Sequence, residues 1–209
     1  FSSSGVLESI TNKLESITKN VKQFWCFYNS SVGDDQSWQS SGPYIFRPNS
    51  SNCEAFTSAS MRVVVSGPSP VTIIEQRFSS WISQRIIVHE GRNDFDIEFI
   101  VGPIPLEVYS SVGKEVVMRF ETDIDSSETL FTDTNGLELI SRTRNKRSFP
   151  FQPTEPVSGN YYPITSAAAI KDTKVQLLVS VDATVGGSSL MSGHLEFMVH
   201  RITLKDDWR

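Results

Sequence analysis

From Asp94 to Val101 the chain alternates Phe95, Ile97, Phe99 and Val101 with Asp94, Asp96, Glu98 and Ile100. A period of two marks a strand with one face toward a core. Clusters of comparable length, rich in Val, Ile and Phe, recur at 61–65, 71–78, 82–88, 116–120, 138–141, 175–181 and 195–202. Between them stand the turn dipeptides Gly67-Pro68, Gly102-Pro103, Asn135-Gly136 and Gly186-Gly187. Short strands with turn signals every ~8–15 residues specify antiparallel sheets. The strands are not separated by helical stretches, which disfavours a parallel α/β fold. The expected fold class is all-β, an antiparallel β-sandwich.

The first thirty residues read two ways. Leu7, Ile10, Leu14, Ile17, Val21 and Phe24 are spaced 3-4-3-4-3, and that stripe predicts a helix. Phe24-Trp25-Cys26-Phe27-Tyr28 instead reads as a strand, and Gly5 can open a hairpin. Residues 141–153 carry Arg142, Arg144, Lys146 and Arg147 and read as a solvated loop, or else as a processing site.

Composition narrows the function classes. Of 209 residues, 38% are hydrophobic and 21% charged, enough apolar surface for a core and too little net charge for a disordered chain. The net charge of −5 argues against a nucleic-acid partner. No apolar run approaches the ~18–20 residues of a membrane helix, so no membrane partner is expected. The chain starts at Phe1 and ends just after Lys205-Asp206-Asp207-Trp208, and is expected to be a piece of something larger. Asn29-Ser30-Ser31 and Asn49-Ser50-Ser51 are glycosylation acceptors and favour the secretory pathway. In an oxidising compartment Cys26 and Cys53 can bond to each other; alternatively one is a buried free thiol and the other pairs with another chain.

No local pattern supplies a self-contained catalytic set. His89, His194 and His200 show no H-x-x-x-H spacing. His194 and His200 lie six apart on an expected strand, which puts them on one face; a solvated or core-edge pair is favoured over a shared zinc. A G-x-S-x-G elbow is lacking. Gly186-Gly187-Ser188-Ser189 follows no phosphate-loop pattern and reads as a turn. Asp34-Asp35 and Asp206-Asp207 are adjacent acids, which point apart and are expected on loops.

Longer strings are more specific. Ser41-Gly42-Pro43-Tyr44-Ile45-Phe46-Arg47-Pro48-Asn49 resembles the S-G-A-Y-I-F-R-P-N segment of family 38 glycoside hydrolases, the acid α-mannosidases of lysosome and vacuole. Before it, the stretch 28–37 resembles their Y-N-x-S-x-G-D-x-x-S. Then come Val101-Gly102-Pro103-Ile104-Pro105, Gly113-Lys114-Glu115-Val116 and Thr132-Asp133-Thr134-Asn135-Gly136. Thr154-Glu155-Pro156-Val157-Ser158-Gly159-Asn160-Tyr161-Tyr162-Pro163 is the most specific string. Gly186-Gly187-Ser188-Ser189-Leu190, Leu195-Glu196-Phe197-Met198-Val199-His200-Arg201 and Lys205-Asp206-Asp207 complete a series that keeps the family's order over almost the whole chain.

The resemblance implies a subunit or processed chain of a retaining exo-α-mannosidase that removes terminal α-mannose from glycans. The family's nucleophile, acid/base carboxylate and zinc ligands lie in an α/β domain that these residues do not contain. Zinc is therefore expected on a partner catalytic α/β chain, in an oligomer of processed chains. The implied location is vacuole or lysosome, or outside the cell. The resemblance also turns residues 1–29 into a strand pair, with its turn inside 11–18.

For site residues, Tyr44 matches the tyrosine whose hydroxyl reaches the bound mannose, and Arg201 matches the first arginine of an H-R-R-L string at the site. A buried strand tyrosine and a surface strand arginine are the alternatives. Asp206 and Asp207 match a following acidic pair, read as a loop. Asn29 and Asn49 are the glycosylation candidates. Departures include Asp182-Ala183-Thr184-Val185 for D-R-S-Q, Ile202 for the second arginine, Val108-Tyr109-Ser110-Ser111 for an acidic loop, and the lack of a basic residue before Gly67-Pro68. The competing functions are a carbohydrate-binding sandwich without chemistry, for which the four tryptophans are too scattered, and a structural interaction module.

Overall fold

A computed structural model describes residues 1–35, 38–66, 71–106 and 112–204. Within them the strands, in chain order, are β1 (Leu7–Asn12), β2 (Ile17–Asn29), β3 (Asp34–Asp35), β4 (Trp38–Gln39), β5 (Glu54–Phe56), β6 (Ser60–Ser66), β7 (Val71–Arg77), β8 (Ile82–His89) and β9 (Phe95–Val101). They continue as β10 (Lys114–Thr122), β11 (Thr129–Asp133), β12 (Leu139–Thr143), β13 (Tyr162–Ile164), β14 (Ala167–Lys171), β15 (Gln176–Ser180), β16 (Val185–Ser188) and β17 (His194–Ile202). The described residues hold no α-helix, only a 3-10 turn at Ser158–Asn160.

All the pairings are antiparallel, as expected of this fold class. The largest sheet runs β1-β2-β10-β17-β16-β13, with β5 added beside β2. β6 to β9 form a four-stranded meander, and β12-β11-β14-β15 a second four-stranded sheet. β3 and β4 make a small hairpin, so Asp34 and Asp35 lie in a short strand rather than a loop.

The N-terminal segment is a hairpin, not the helix its periodicity predicts. β1 and β2 pair through Asn12↔Ile17, and Asn12 Oδ1 accepts the N–H groups of Leu14 and Glu15 across the turn. The 3-4-3-4-3 stripe misleads because β2 is covered on both faces: Gln23 to Cys26 are buried in succession. A strand buried on both sides carries apolar residues at odd and even positions alike.

The register sorts the two faces. Gln23, Trp25 and Phe27 pair with Phe120, Met118 and Val116 of β10 and face the β6–β9 sheet. There Trp25 Nε1–H donates to Gln84 Oε1 at 2.6 Å, and Gln84 Nε2 donates to Gln23 and Gln76 at 2.6 and 2.7 Å. Trp25 also meets Phe99 edge-on at 5.1 Å, and Phe27 packs with Trp81 and Phe56. These contacts stack the two sheets as a sandwich. The β11–β15 sheet adds Leu130, Ala168 and Ile170 to the same core.

Cys26 and Cys53 form a disulfide that ties the chain entering β5 to the middle of β2.

Two local readings are corrected. Val116 pairs with His200 but Val117 with Met198, so Val199 is bulged out of β17. One extra residue inverts the alternation. His194 and His200 therefore lie on opposite faces. Gly186 and Gly187 are not a turn but part of β16, between β13 and β17. A Cβ on Gly187 would sit 2.2 Å from Ile164 Cδ1 and 2.9 Å from Glu196 O, so the glycine permits close strand approach.

The basic stretch is not simply solvated. Its start lies in β12, the Arg142 guanidinium stacks over Tyr162 at 5.1 Å, and Arg147 stacks over Phe151 at 4.6 Å. Arg144 pairs with Glu128 at 3.0 Å.

Buried Asp133, at the end of β11, joins two turns. Its carboxylate accepts the N–H groups of Gly136, Thr165, Ser166 and Ala167 at 2.8–3.2 Å, and the Thr165 hydroxyl. Burial favours the neutral acid, but these donors outweigh it and hold the carboxyl far below its ordinary range. A depressed folded-state pKa contributes stability above the unfolded value of about 3.9, lost as pH falls through the acid range. Acid unfolding of the full-length protein should therefore shift to higher pH in Asp133→Asn, which lacks that linkage. An unmoved acid transition would contradict this.

Candidate functional site

The other face of β2, β10 and β17 is polar where the apolar pattern predicts core. Tyr28 pairs with Glu115, and Glu115 with Arg201; Phe24 pairs with Arg119, and Arg119 with Glu196. Glu115 and Glu196 are 0% and 2% exposed. Charges buried to this degree require partners. Arg201 and Arg119 of the same sheet are the charged partners, and two segments add further hydrogen bonds and cover the face, one leading from β4 to β5 and the other entering β13.

The first segment forms a tight turn. The Gly42 N–H donates to Ile45 O at 2.9 Å, leaving Pro43 and Tyr44 at the tip. Ser41 Oγ donates to Glu115 Oε1 at 2.6 Å and accepts the Arg47 N–H at 3.0 Å. Arg201 Nε and Nη2 donate to the same Glu115 oxygen at 3.1 and 2.5 Å. Its Nη2 also reaches Gly42 O at 3.0 Å and Ile45 O at 3.3 Å, the carbonyls on either side of Tyr44. Tyr44 itself is 80% exposed. Burial pushes the Glu115 carboxyl above its ordinary range, against the opposing pull of Ser41 and Arg201.

The second segment docks through Glu196. Arg119 Nε and Nη2 donate to Glu196 Oε2 at 2.8 and 2.5 Å. Tyr28 donates to Glu196 Oε1 at 3.1 Å, and Tyr161 hydrogen-bonds the same oxygen. Burial first, and then the Glu196 charge, drive both phenols upward in pKa, so they remain hydrogen-bond donors. Phe46 joins the segments, edge-on to Tyr161 at 4.9 Å and to Tyr28 at 5.7 Å. Arg47 Nε donates to Glu155 at 2.7 Å.

The fold thus brings together strings far apart in sequence, Tyr28 and Glu196 being 168 positions apart, with Tyr28, Tyr44, Glu115, Tyr161, Glu196 and Arg201 all on or above one sheet face. Tyr44 is not a buried strand tyrosine but an exposed turn residue. Arg201 is a strand arginine, but one committed to a buried carboxylate. Asn29 ends β2, one residue past Tyr28 and so on the opposite face with Phe27, its amide hydrogen-bonded to Glu54 Oε1, with Ser30 and Ser31 buried. Asn49 is exposed beside exposed Ser50 and Ser51.

Asp206 and Asp207 lie outside the described residues, as do Gly67-Pro68 and residues 108–111. No group of three or more His, Cys, Asp or Glu among the described residues could hold a metal ion. His89 faces Asp96 at 3.5 Å, His194 is half-buried, and His200 is exposed on the opposite face.

Sequence reasoning missed Glu115, Arg119 and Glu196 as a group. The available signal was a charge on either side of Val116-Val117-Met118 and another between Leu195 and Phe197, in strands otherwise apolar enough to be buried.

The family model described as glycosyl hydrolases family 38 C-terminal domain matches residues 1–209. Lysosomal alpha-mannosidase of Homo sapiens is 41% identical over 206 residues, 98% of this chain and 20% of that protein. Lysosomal alpha-mannosidase of Mus musculus is 41% identical over 209 residues, 100% of this chain and 20% of that protein. Alpha-mannosidase of Canavalia ensiformis is 37% identical over 206 residues, 98% of this chain and 21% of that protein. The chain spans about a fifth of the length of the curated relatives it matches.

Proposed function

Because this chain belongs to glycosyl hydrolase family 38, as its C-terminal domain, we propose that it is the β-sandwich portion of an α-mannosidase and lends Tyr44 to the rim of the mannose pocket. The observation that carries the rim reading is an exposed tyrosine on a turn fixed by Arg201 at the carbonyls on both sides. A surface aromatic on a braced turn suits contact with something outside this chain. Its phenol can donate one hydrogen bond and accept another, so it can bridge a sugar hydroxyl and a carboxylate of the catalytic region.

The substrate class is glycans with terminal α-mannose, hydrolysed with retention of configuration by carboxylates outside this chain. The described residues do not fit the family's zinc, since none of their acids, histidines and cysteines converge in a ligand set. Zinc belongs, on this reading, to the catalytic α/β region, the principal partner. The disulfide and the relatives named lysosomal favour a lysosomal or vacuolar protein that has passed through the secretory pathway.

The test is hydrolysis of an aryl α-mannoside by the full-length protein. Mannose should be released with its configuration retained, and chelation of zinc should abolish turnover while leaving the β-sandwich signals of the circular dichroism spectrum unchanged. A full-length protein without α-mannosidase activity would overturn the reading. A second expectation concerns glycans. Asn49 should carry an N-linked glycan, since it and its Ser51 are exposed. Asn29, whose amide is held by Glu54, is the poorer acceptor. Glycopeptide mapping decides this; Asn49 and Asn29 both bare would count against secretory passage.

A further inference from the structure

We propose that Glu115 is a positioning residue: with Arg201 it fixes the Gly42–Ile45 turn, and it acts on the reaction only through Tyr44. The inference rests on the reading of Tyr44 as the sugar-contacting residue.

The two buried carboxylates of this face differ in use. Glu196 engages both oxygens, Oε1 with two tyrosines and Oε2 with Arg119, and ties strands and a covering segment together. Among the described residues Glu115 directs every contact through Oε1, to Ser41 and Arg201, and its buried Oε2 has no hydrogen-bond partner there. A carboxylate satisfied on one side only is a poor device for stability. Its two partners have one thing in common: both hold the Tyr44 turn. Ser41, just before the turn, accepts the Arg47 N–H two residues after it. Arg201 spreads one nitrogen over Glu115 Oε1, Gly42 O and Ile45 O. The carboxylate thus orients the guanidinium fork, and the fork holds the backbone on both sides of Tyr44. Tyr44, being exposed, contributes little to its own placement. Small displacements of a substrate-contacting group cost large factors in rate, which gives such a brace its effect.

The experiment uses the full-length protein with Glu115→Gln, Tyr44→Phe and the double variant. Gln keeps the shape and an acceptor but removes the charge that orients Arg201. In Glu115→Gln, the Gly42 and Arg47 amides should exchange about tenfold faster or more, with β10 and β17 amides unchanged. The kcat/KM for an aryl α-mannoside should fall about tenfold. That fall should disappear in the Tyr44→Phe background, so that the double variant equals Tyr44→Phe. Unchanged exchange at Gly42 and Arg47 would overturn the brace alone. Multiplicative losses in the double variant would overturn the route through Tyr44. Full activity of Tyr44→Phe would overturn the rim reading, whatever the exchange shows. If Glu115→Gln does not accumulate, Arg201→Lys, which keeps the charge and loses the fork, carries the same comparison.

Discussion

Replacing Glu196 by Ala should destabilise the folded protein by about 3–5 kcal/mol, the range for removing one partner of a buried ion pair. Arg119, only 14% exposed at its side chain, would keep its charge without a counter-charge. Two phenols would lose their shared acceptor, and Phe46 would rest on a loosened Tyr161. The loss should be measured as a fall in denaturant midpoint of the full-length protein, together with reduced soluble yield. A control separates charge from packing. Glu196→Leu combined with Arg119→Met removes both charges and should recover part of the stability, because an apolar pair of similar volume carries no desolvation cost, while the Tyr28 and Tyr161 hydroxyls still lack their acceptor. If Glu196→Ala unfolds at the same midpoint as the parent, the network is not holding the covering segment.

Tyr44→Phe should lower kcat/KM of the full-length enzyme by about 10–100-fold, the scale of one or two lost transition-state hydrogen bonds at ~1.4 kcal/mol per factor of ten. Stability and zinc content should be unchanged, since the residue is exposed and only one oxygen is removed. This pairing of a large kinetic effect with no stability effect distinguishes a rim residue from a packing residue. Activity should be read on an aryl α-mannoside and on a mannose oligosaccharide. Full activity on both would leave this chain as scaffold only.

Strand content was legible because a period of two survives wherever one face is solvated. β9 is the clearest example, and β6, β7, β8 and β15 were also readable from their β-branched runs. The pattern misleads at β2, although β10 and β17, also covered on both faces, are legible from their apolar runs. β2 mimicked a helix because burial on both sides leaves no polar phase to count. β11, β14 and β16 are not legible because they are short, and β14 and β16 are in addition rich in Ala or Gly, which advertise little strand propensity. The bulge at Val199 left no trace in composition, so His194 and His200 were assigned to one face.

The order of the motif strings by itself determined the family, and with it the expectation that catalysis lies elsewhere. Those strings specified residue types at Ser41, Tyr44, Glu115, Glu196 and Arg201, but not what each touches. Only the tertiary structure decided that Arg201 brackets Tyr44, that Ser41 and Arg201 share one oxygen of Glu115, and that Glu196 receives Tyr28, Tyr161 and Arg119. The physical reason is the range of these contacts. Alternation and turn chemistry act between neighbours in sequence, whereas a buried carboxylate finds its donors across strand registers that the whole sheet sets.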